Sequence, residues 1–205
     1  MEHLSKLFGS PARVKLLRLF VFNADCVYDR DSVIVSARIT PETASKELAA
    51  LARAGVISRK TFYKEVVRPG SREVKKRKTI GWQFNQKYPY LEALSRFLRD
   101  TLVLSHTDIK KRLRGAGTIK FLALAGFLIG EKDNGIDMLI VGNKLSDKGL
   151  QNAMSILEAE CGQEIRYAVL SVDDYRFRRR VRDKLVRDVL DYPHVTIVDK
   201  VGSHK

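Results

Sequence analysis

ITPETASKELAALARAGVI, residues 39–57, is the stretch that decides the fold. Thr40 can cap a helix because its hydroxyl accepts a hydrogen bond from an unpaired backbone N–H, and Pro41 is favourable at the first helical position. Gly55 supplies the left-handed residue that commonly ends a helix. The stretch therefore predicts a helix that begins at Pro41 and ends before Gly55.

This predicted helix has two unlike faces. Its apolar residues recur at helical spacing: Ala44, Leu48, Leu51 and Ala52. Its polar residues fall on other faces: Glu42, Thr43, Ser45, Lys46 and Glu47. Small polar side chains can offer hydrogen-bond donors and acceptors to base edges in the major groove of DNA, but most amphipathic helices only pack on a core. The flanking sequence has to decide between these two interpretations.

The flanking segments predict a small helical unit followed by a hairpin. Residues 3–22 predict a first helix with an apolar stripe at Leu16, Leu19 and Phe20, and the Gly9-Ser10-Pro11 step is a candidate break in it. After the central helix, residues 56–84 predict a strand, a turn with a run of cations, and a second strand.

Three motifs resemble the winged helix-turn-helix transcriptional regulators of the ArsR/MarR type. LFGSPARVKLLRLF (7–20) resembles their first helix, ITPETASKELAALARAGVI their recognition helix, and KKRKTIGWQFN (75–85) the return strand of their wing. The resemblance covers residues 3 to about 99 and implies a further helix over residues 30–37. The β-branched residues of that segment would suit a strand on propensity alone, but we predict the helix.

The resemblance implies a DNA-binding surface formed by the recognition helix and the hairpin. Thr43, Ser45 and Lys46 would take the base-reading positions, with Thr40 and Glu42 near the DNA backbone. The hairpin cations would reach flanking phosphates: Arg68, Arg72, Lys75, Lys76, Arg77 and Lys78. A charged strand edge that blocks aggregation is the alternative. Concentration of the cations at the hairpin favours contact with DNA.

Composition limits the classes of partner and site. The 205 residues include 38 Lys and Arg against 24 Asp and Glu, and the net charge of +14 attracts polyanions such as nucleic acid. Cys26 and Cys161 lie far apart and the four histidines are scattered, so no disulfide framework, metal site or cofactor is predicted. No apolar run approaches the roughly 18 residues of a membrane span and no signal core is present, so we expect a cytoplasmic protein.

Residues 88–116 connect two predicted domains. A long helix over residues 88–104 has a broad apolar face that either forms a dimer contact, docks the next domain or packs within the chain: Leu91, Leu94, Phe97, Leu98 and Leu102. A linker helix over residues 105–116 ends in a pair of glycines. We therefore expect domains at 1–104 and 117–205, joined by this linker helix.

The second domain is predicted to alternate strands and helices, which makes the expected fold class α+β. The first two strands are separated by an Asn134-Gly135 hairpin signal, and a later helix presents Leu150, Met154 and Leu157 to the sheet. The predicted strands cover residues 118–129, 136–141, 164–170 and 194–198, and the predicted helices cover residues 146–160 and 172–190.

Residues 117 to about 200 resemble the nucleotidyltransferase fold of the polymerase-beta type. In that family a Gly-Ser pair opens a helix that holds the triphosphate, and carboxylates on two strands hold divalent metals. Gly126 fits the glycine and Asp137 fits one carboxylate, but Phe127 replaces the serine and Gly135 replaces the carboxylate two positions earlier. The strand over residues 164–170 offers no third carboxylate at the expected position. We interpret the domain as catalytically silent, with Gly126 and Asp137 as a vestigial nucleotide site.

As a whole, the chain resembles two-domain bacterial proteins described as transcriptional regulators. The leading hypothesis is a homodimeric regulator that binds double-stranded DNA sequence-specifically and uses its second domain for dimerisation or sensing. An active metal-dependent nucleotidyltransferase that modifies a protein or RNA is one alternative. An RNA- or ribosome-binding adaptor with a basic helix is another: Arg176, Arg178, Arg179, Arg180 and Arg182.

Overall fold

The computed structural model describes residues 2–67, 74–102, 104–131 and 135–202. Within these ranges the fold is α+β, with nine α-helices and six strands. The chain divides into two compact units, which we call unit 1 and unit 2. Unit 1 contains Met1–Phe97 and Ala159–Gln163, whereas unit 2 contains Leu98–Glu158 and Glu164–Lys205.

Unit 1 begins with four helices: α1 Glu2–Phe8, α2 Pro11–Phe22, α3 Arg30–Ala37 and α4 Pro41–Arg53. The candidate break in the first predicted helix is confirmed, because Gly9 has a φ of 78° and Ser10 caps α2 by accepting from the N–H of Arg13. The apolar faces of the helices form the core of the unit together with the base of the hairpin: Leu16, Phe20, Val33, Ala37, Ala44, Leu48, Leu51, Val56, Ile57 and Phe84.

Helix α3 forms over the predicted residues despite its β-branched content. The carboxylate of Asp29 accepts from the N–H of Ser32 at 2.8 Å and so caps the helix. Val33 and Ala37, one turn apart, are buried in the core. Arg38 then adopts the left-handed conformation with a φ of 49° and ends the helix. Capping and burial therefore outweigh β propensity in this segment.

The hairpin consists of β1 Ile57–Val67 and β2 Val74–Phe84, which pair antiparallel along their whole length from Ile57↔Phe84 to Val67↔Val74. Tyr28 adds an isolated antiparallel bridge to Trp82, with hydrogen bonds of 2.9 and 2.8 Å. Gly81 makes this bridge possible, since a Cβ there would lie 2.7 Å from the carbonyl oxygen of Tyr28. The base of the hairpin is thus fixed to the segment between α2 and α3.

Helix α5, Leu91–Asp100, is shorter than the helix predicted over residues 88–104. Tyr88 precedes a proline, which disfavours helical geometry, and its carbonyl instead accepts from the N–H of Leu91 in a turn. Leu98 and Leu102 are buried, whereas Phe97 is exposed. Leu91 and Leu94 are half-buried, so the predicted broad apolar face is only partly covered.

Unit 2 is built on a four-stranded sheet with the order β5-β4-β3-β6. Strand β4 is antiparallel to β3 and parallel to β5, while β6 is antiparallel to β3. Tyr175 stacks on Phe121 with a centroid separation of 5.1 Å within the core on one side of this sheet. The strands are β3 Thr118–Leu124, β4 Met138–Asn143, β5 Tyr167–Leu170 and β6 Val195–Asp199, and the helices are α6 His106–Leu113, α7 Asp147–Cys161, α8 Val172–Arg180 and α9 Lys184–Leu190. The last residues of α7, from Ala159, are counted with unit 1.

Two predicted elements of unit 2 end early. Strand β3 stops at Leu124, because Gly126, with a φ of 54°, opens a 3₁₀ turn over Gly126–Ile129. The single helix predicted over residues 172–190 is two helices, because Arg182 has a φ of 54° and Asp183 caps α9. Asn134, the first residue of the predicted Asn-Gly hairpin signal, lies outside the described residues.

Within the described residues, no helix combines the length and apolar character that a membrane crossing requires.

Candidate nucleic-acid interface

Helix α4 presents most of its predicted polar residues to solvent. Thr40, Glu42, Ser45 and Lys46 are exposed, and Thr43 is half-buried. The opposite face is in the core, where Ala44 and Leu48 are almost completely inaccessible. Because of this division, the outer face of α4 is available for contacts outside unit 1.

Local hydrogen bonds already occupy the hydroxyl groups on this face. Thr40 Oγ1 accepts from the N–H of Thr43 at 3.3 Å and lies 3.0 Å from Thr43 Oγ1. Ser45 Oγ donates to the carbonyl oxygen of Pro41 at 2.9 Å. Ser45 can therefore still accept a hydrogen bond but has no proton left to donate while this bond persists. Lys46 brings three ammonium donors to the same face.

Glu42 brings negative charge to the first turn of α4. Its carboxylate accepts from its own backbone N–H and from the Thr40 hydroxyl, and these contacts, together with the charge of Arg30, hold its pKa below the usual value. An ionised carboxylate repels phosphate but can accept from the amino group of cytosine. We therefore expect Glu42 to restrict where DNA phosphates can lie, rather than to bind one.

Glu47 lies in the core, and its predicted place on the polar side of α4 is wrong. Its side chain is only 4% exposed, and Oε2 accepts from Nε of Arg13 at 2.7 Å. Arg13 also donates from Nη1 to the carbonyl oxygen of Phe8 at 3.0 Å. The pair joins α2 to α4. Removal of either partner would leave the other charged group without its counter-charge.

The hairpin carries an uninterrupted run of four exposed cations on β2: Lys75, Lys76, Arg77 and Lys78. Because neighbouring strand residues point to opposite faces, Lys76 and Lys78 share one face and Lys75 and Arg77 the other. Glu65 lies directly across from Lys76 and offsets part of its charge. The predicted contacts Arg68 and Arg72 lie outside the described residues.

An ion pair fixes the hairpin to the start of α3. Lys64 Nζ donates to Oδ2 of Asp29 at 2.6 Å, while Oδ1 of the same carboxylate caps α3. Burial raises the pKa of Asp29, but the hydrogen bonds from Lys64 and Ser32 outweigh it, so the pKa lies below the usual range. One carboxylate therefore holds both the helix cap and the middle of β1.

We expect Asp29→Asn to lower the free energy of unfolding at pH 7 by about 1–3 kcal/mol, since it weakens a cap and removes an ion pair. The depressed pKa stabilises the fold at pH values above about 4, and this contribution disappears as the pH falls through the folded-state pKa. Urea unfolding followed by fluorescence of Trp82, the only tryptophan, measures the difference between pH 7 and pH 3. Asp31→Asn, at an exposed acid in the same helix, is the matched control, and a pH-independent difference for Asp29→Asn would contradict the assignment.

In unit 2 the two residues of the predicted vestigial site, Gly126 and Asp137, lie in contact. A Cβ on Gly126 would lie 2.5 Å from Oδ1 of Asp137, so only glycine fits beside this carboxylate. Asp137 itself is completely buried.

Arg166, which the sequence did not point to, binds the carboxylate of Asp137. Its guanidinium donates to Oδ1 at 3.0 Å and to Oδ2 at 3.1 Å, and its backbone N–H donates to Oδ2 at 3.0 Å. The N–H of Asp137 donates in return to the carbonyl oxygen of Arg166 at 2.7 Å. Both carboxylate oxygens are thus held by an arginine, and this pair joins the segment before β5 to the start of β4.

Among the described residues, no group of three or more His, Cys, Asp or Glu side chains is arranged to hold a metal ion. At the position where a nucleotidyltransferase would carry its third carboxylate, strand β5 carries Tyr167.

Unit 1 therefore contains both the exposed face of α4 and the cationic strand β2, and unit 2 brings together Gly126, Asp137 and Arg166. These arrangements are the basis for assigning a function, since no protein-family model, no curated protein and no solved structure matches the chain.

Proposed function

We propose that this protein is a sequence-specific DNA-binding transcriptional regulator of the winged helix-turn-helix type. Helix α4 enters the major groove, and the β1–β2 hairpin lies on the flanking phosphates. The observation that carries the proposal is that one compact unit presents both a capped helix with a polar outer face and a strand with four exposed cations in sequence.

The order of elements in unit 1 supports this proposal. Helices α3 and α4 are separated by Arg38, Ile39 and Thr40, a turn of the length found in helix-turn-helix motifs. The hairpin follows α4 directly, and the Tyr28–Trp82 bridge adds a third strand position from the segment before α3. Such a unit places its second helix where the first residues of that helix can reach base edges.

The two parts of the surface would make different contributions to binding. Lys46 and the acceptor oxygen of Ser45 lie at the start of α4, where side chains read base edges in this mode of binding. The β2 cations are sequence-independent partners for phosphate and supply affinity and positioning. The proposal thus assigns specificity to α4 and most of the affinity to the hairpin.

Unit 2 is assigned to dimerisation or effector sensing, as a silent relative of nucleotidyltransferases. Its order of a strand, a short helical turn, an antiparallel strand, a helix and a parallel strand supports the likeness. Two-metal phosphoryl transfer needs carboxylate oxygens that are open to metal ions, whereas both oxygens of Asp137 accept from Arg166. This arrangement favours the silent interpretation over active nucleotide transfer.

The proposal is tested by the salt dependence of binding to duplex DNA. We expect the full chain to bind a labelled 30-base-pair duplex pool, and log K to fall against log salt with a slope of about −5 if roughly six phosphates are neutralised. Fluorescence anisotropy between 50 and 300 mM KCl measures this slope. Absence of duplex binding, or affinity that does not change with salt, would overturn the proposal.

A further inference from the structure

Helix α8 in unit 2 exposes an aromatic ring among arginines. Phe177 is 54% exposed, and the guanidinium carbon of Arg180 lies 5.9 Å from the centre of its ring. Arg180, three residues after Phe177, lies on the same face of the helix as the ring, and Arg176 lines the same concavity. A single exposed apolar residue is common on protein surfaces, so it is the guanidinium groups around this ring that make it a candidate stacking surface.

The acidic residues near α8 neutralise only some of these arginines. Arg178 donates to both oxygens of Asp174 at 3.1 Å and to Asp183 at 3.4 Å, so it is held inside the α8–α9 corner. Arg187 pairs with Asp191 at 3.0 Å. Arg176 lies 3.9 Å from the exposed Asp173 and donates to the carbonyl oxygen of Val201 at 3.4 Å. In the described part of the chain, no ion pair to an acidic residue engages the three arginines that follow Phe177 on α8 and at its end, beyond Arg178: Arg179, Arg180 and Arg182.

Two open concavities meet at Arg179. The first has a volume of about 500 Å³ and is lined by Arg176, Phe177 and Arg180 among others. The second, of about 550 Å³, is lined by Arg182 and by the apolar side chains of Val186 and Leu190. Arg179 lines both concavities, and arginines outnumber the acidic residues in each lining: Asp173 in the first, Asp183 and Asp191 in the second.

We propose that this surface binds single-stranded nucleic acid, with an unpaired base stacked on Phe177. Arg176, Arg179 and Arg182 contact successive phosphates along the two concavities. A ring that faces solvent beside guanidinium groups is a stacking platform for any base, and a cationic track supplies the salt-dependent part of the affinity. Duplex DNA is a poor ligand for this surface, because its bases are already stacked inside the helix.

This inference does not depend on the function proposed for unit 1, since every residue that carries it belongs to unit 2. Alanine at Phe177 should also leave the fold intact, because the ring is largely outside the core. Val181 supplies a matched control: it is an exposed apolar residue at the end of the same helix, 53% accessible, and it has no π face.

The experiment measures binding of the full chain to fluorescein-labelled 12-mer oligouridylate, the matching 12-mer deoxythymidylate and a 30-base-pair duplex, by anisotropy at 100 mM KCl. We expect Phe177→Ala to weaken binding of the single strands about 5- to 100-fold and Val181→Ala to change it less than twofold. Duplex binding should be the same for both variants. Preference for the RNA or the DNA strand in the wild-type protein then identifies the source of the ligand.

Three results would overturn the inference. The first is that the wild-type protein binds neither single strand, and the second is that Phe177→Ala and Val181→Ala have equal effects. The third is that Phe177→Ala weakens duplex binding as much as single-strand binding, since the ring would then contact the duplex. Dissociation of a dimer by Phe177→Ala in sedimentation analysis would count in the same way, since the ring would then lie in an interface between copies. If the wild-type protein bound the single strands through Phe177 but no duplex, the function proposed for unit 1 would be overturned and this inference would stand.

Discussion

Replacement of Asp137 by alanine should destabilise unit 2 by about 2–4 kcal/mol, since the side chain of Arg166 is 43% exposed and its guanidinium can be solvated in part. The carboxylate is completely buried and accepts three hydrogen bonds from Arg166, two from the guanidinium and one from the backbone. Alanine leaves that backbone N–H without its partner and leaves the guanidinium beside an empty space instead of a counter-charge. Urea unfolding followed by far-ultraviolet circular dichroism measures the loss, because Trp82 lies in unit 1 and its fluorescence reports on that unit.

The control is a second aspartate that pairs with an arginine, but at the surface. Asp173 is 92% exposed and lies 3.9 Å from Arg176, so Asp173→Ala should change the free energy of unfolding by less than about 0.5 kcal/mol. Arg166→Ala should cost about as much as Asp137→Ala, since it strands a buried carboxylate. A cost below about 1 kcal/mol for Asp137→Ala would show that the pair does not hold β4 and β5 together.

This prediction also bears on the enzymatic alternative. A metal ion could bind Asp137 only after Arg166 had left both of its oxygens, and the same contacts join the segment before β5 to β4. A catalytic carboxylate usually stays accessible to its metal or substrate, whereas this one is enclosed in protein. The geometry thus gives Asp137 a structural role.

The signals that begin and end a helix could be recognised in the sequence. The hydroxyl of Thr40, the proline after it and Gly55 predicted α4, and the structure has Thr40 as its cap, Pro41 as its first residue and a φ of 73° at Gly55. Such signals act over three or four residues, so no knowledge of the rest of the fold is needed. The two strands of the hairpin were predicted for the same reason, from apolar and β-branched runs on either side of a turn.

Pairs that form across long stretches of sequence could not be predicted. Glu47 looks like an outer residue of α4, and only the arrival of Arg13, 34 positions earlier, makes its burial tolerable. Arg166 likewise meets Asp137 across 29 positions. A sequence pattern gives the face of a helix or strand, but not which charged groups meet when the elements pack.

A left-handed residue that is not glycine was also missed. Arg182 has a φ of 54° and separates α8 from α9, whereas its sequence context is a run of good helix formers. The capping of α9 by Asp183 makes the break favourable. Arginine carries no sequence signal for this conformation, so a single long helix was the natural prediction for residues 172–190.

Neutralising the β2 cations should have the largest effect on the proposed DNA binding. With Lys75, Lys76, Arg77 and Lys78 all changed to Gln, we expect the slope of log K against log salt to become shallower by about 3–4, because each phosphate contact contributes roughly 0.9. If the two proteins bind equally at 1 M salt, this corresponds at 100 mM salt to roughly a thousand- to ten-thousandfold loss of affinity for every duplex sequence. Anisotropy titrations at several salt concentrations measure both quantities.

A second quadruple variant separates the position of the charges from their number. Changing four exposed cations of unit 2 to Gln lowers the net charge equally, from +14 to 14 − 4 = +10: Lys110, Lys111, Arg114 and Lys148. We expect this variant to keep the wild-type slope to within about one unit, because charges that make no phosphate contact only steer the encounter. Equal losses in the two variants would mean that DNA is attracted by overall charge, and the hairpin would have no special place in binding.

Lys46→Ala tests whether α4 reads bases, as distinct from the phosphate contacts assigned to the hairpin. A lysine that donates to base edges is worth about 1–3 kcal/mol at the bases it reads, so its loss should flatten the preference in a selection from random duplexes. Its contribution to the salt slope should not exceed about one unit. If Lys46→Ala instead weakened all sequences alike while the hairpin variant changed base preference, the groove would have to be assigned to the hairpin and the backbone to α4.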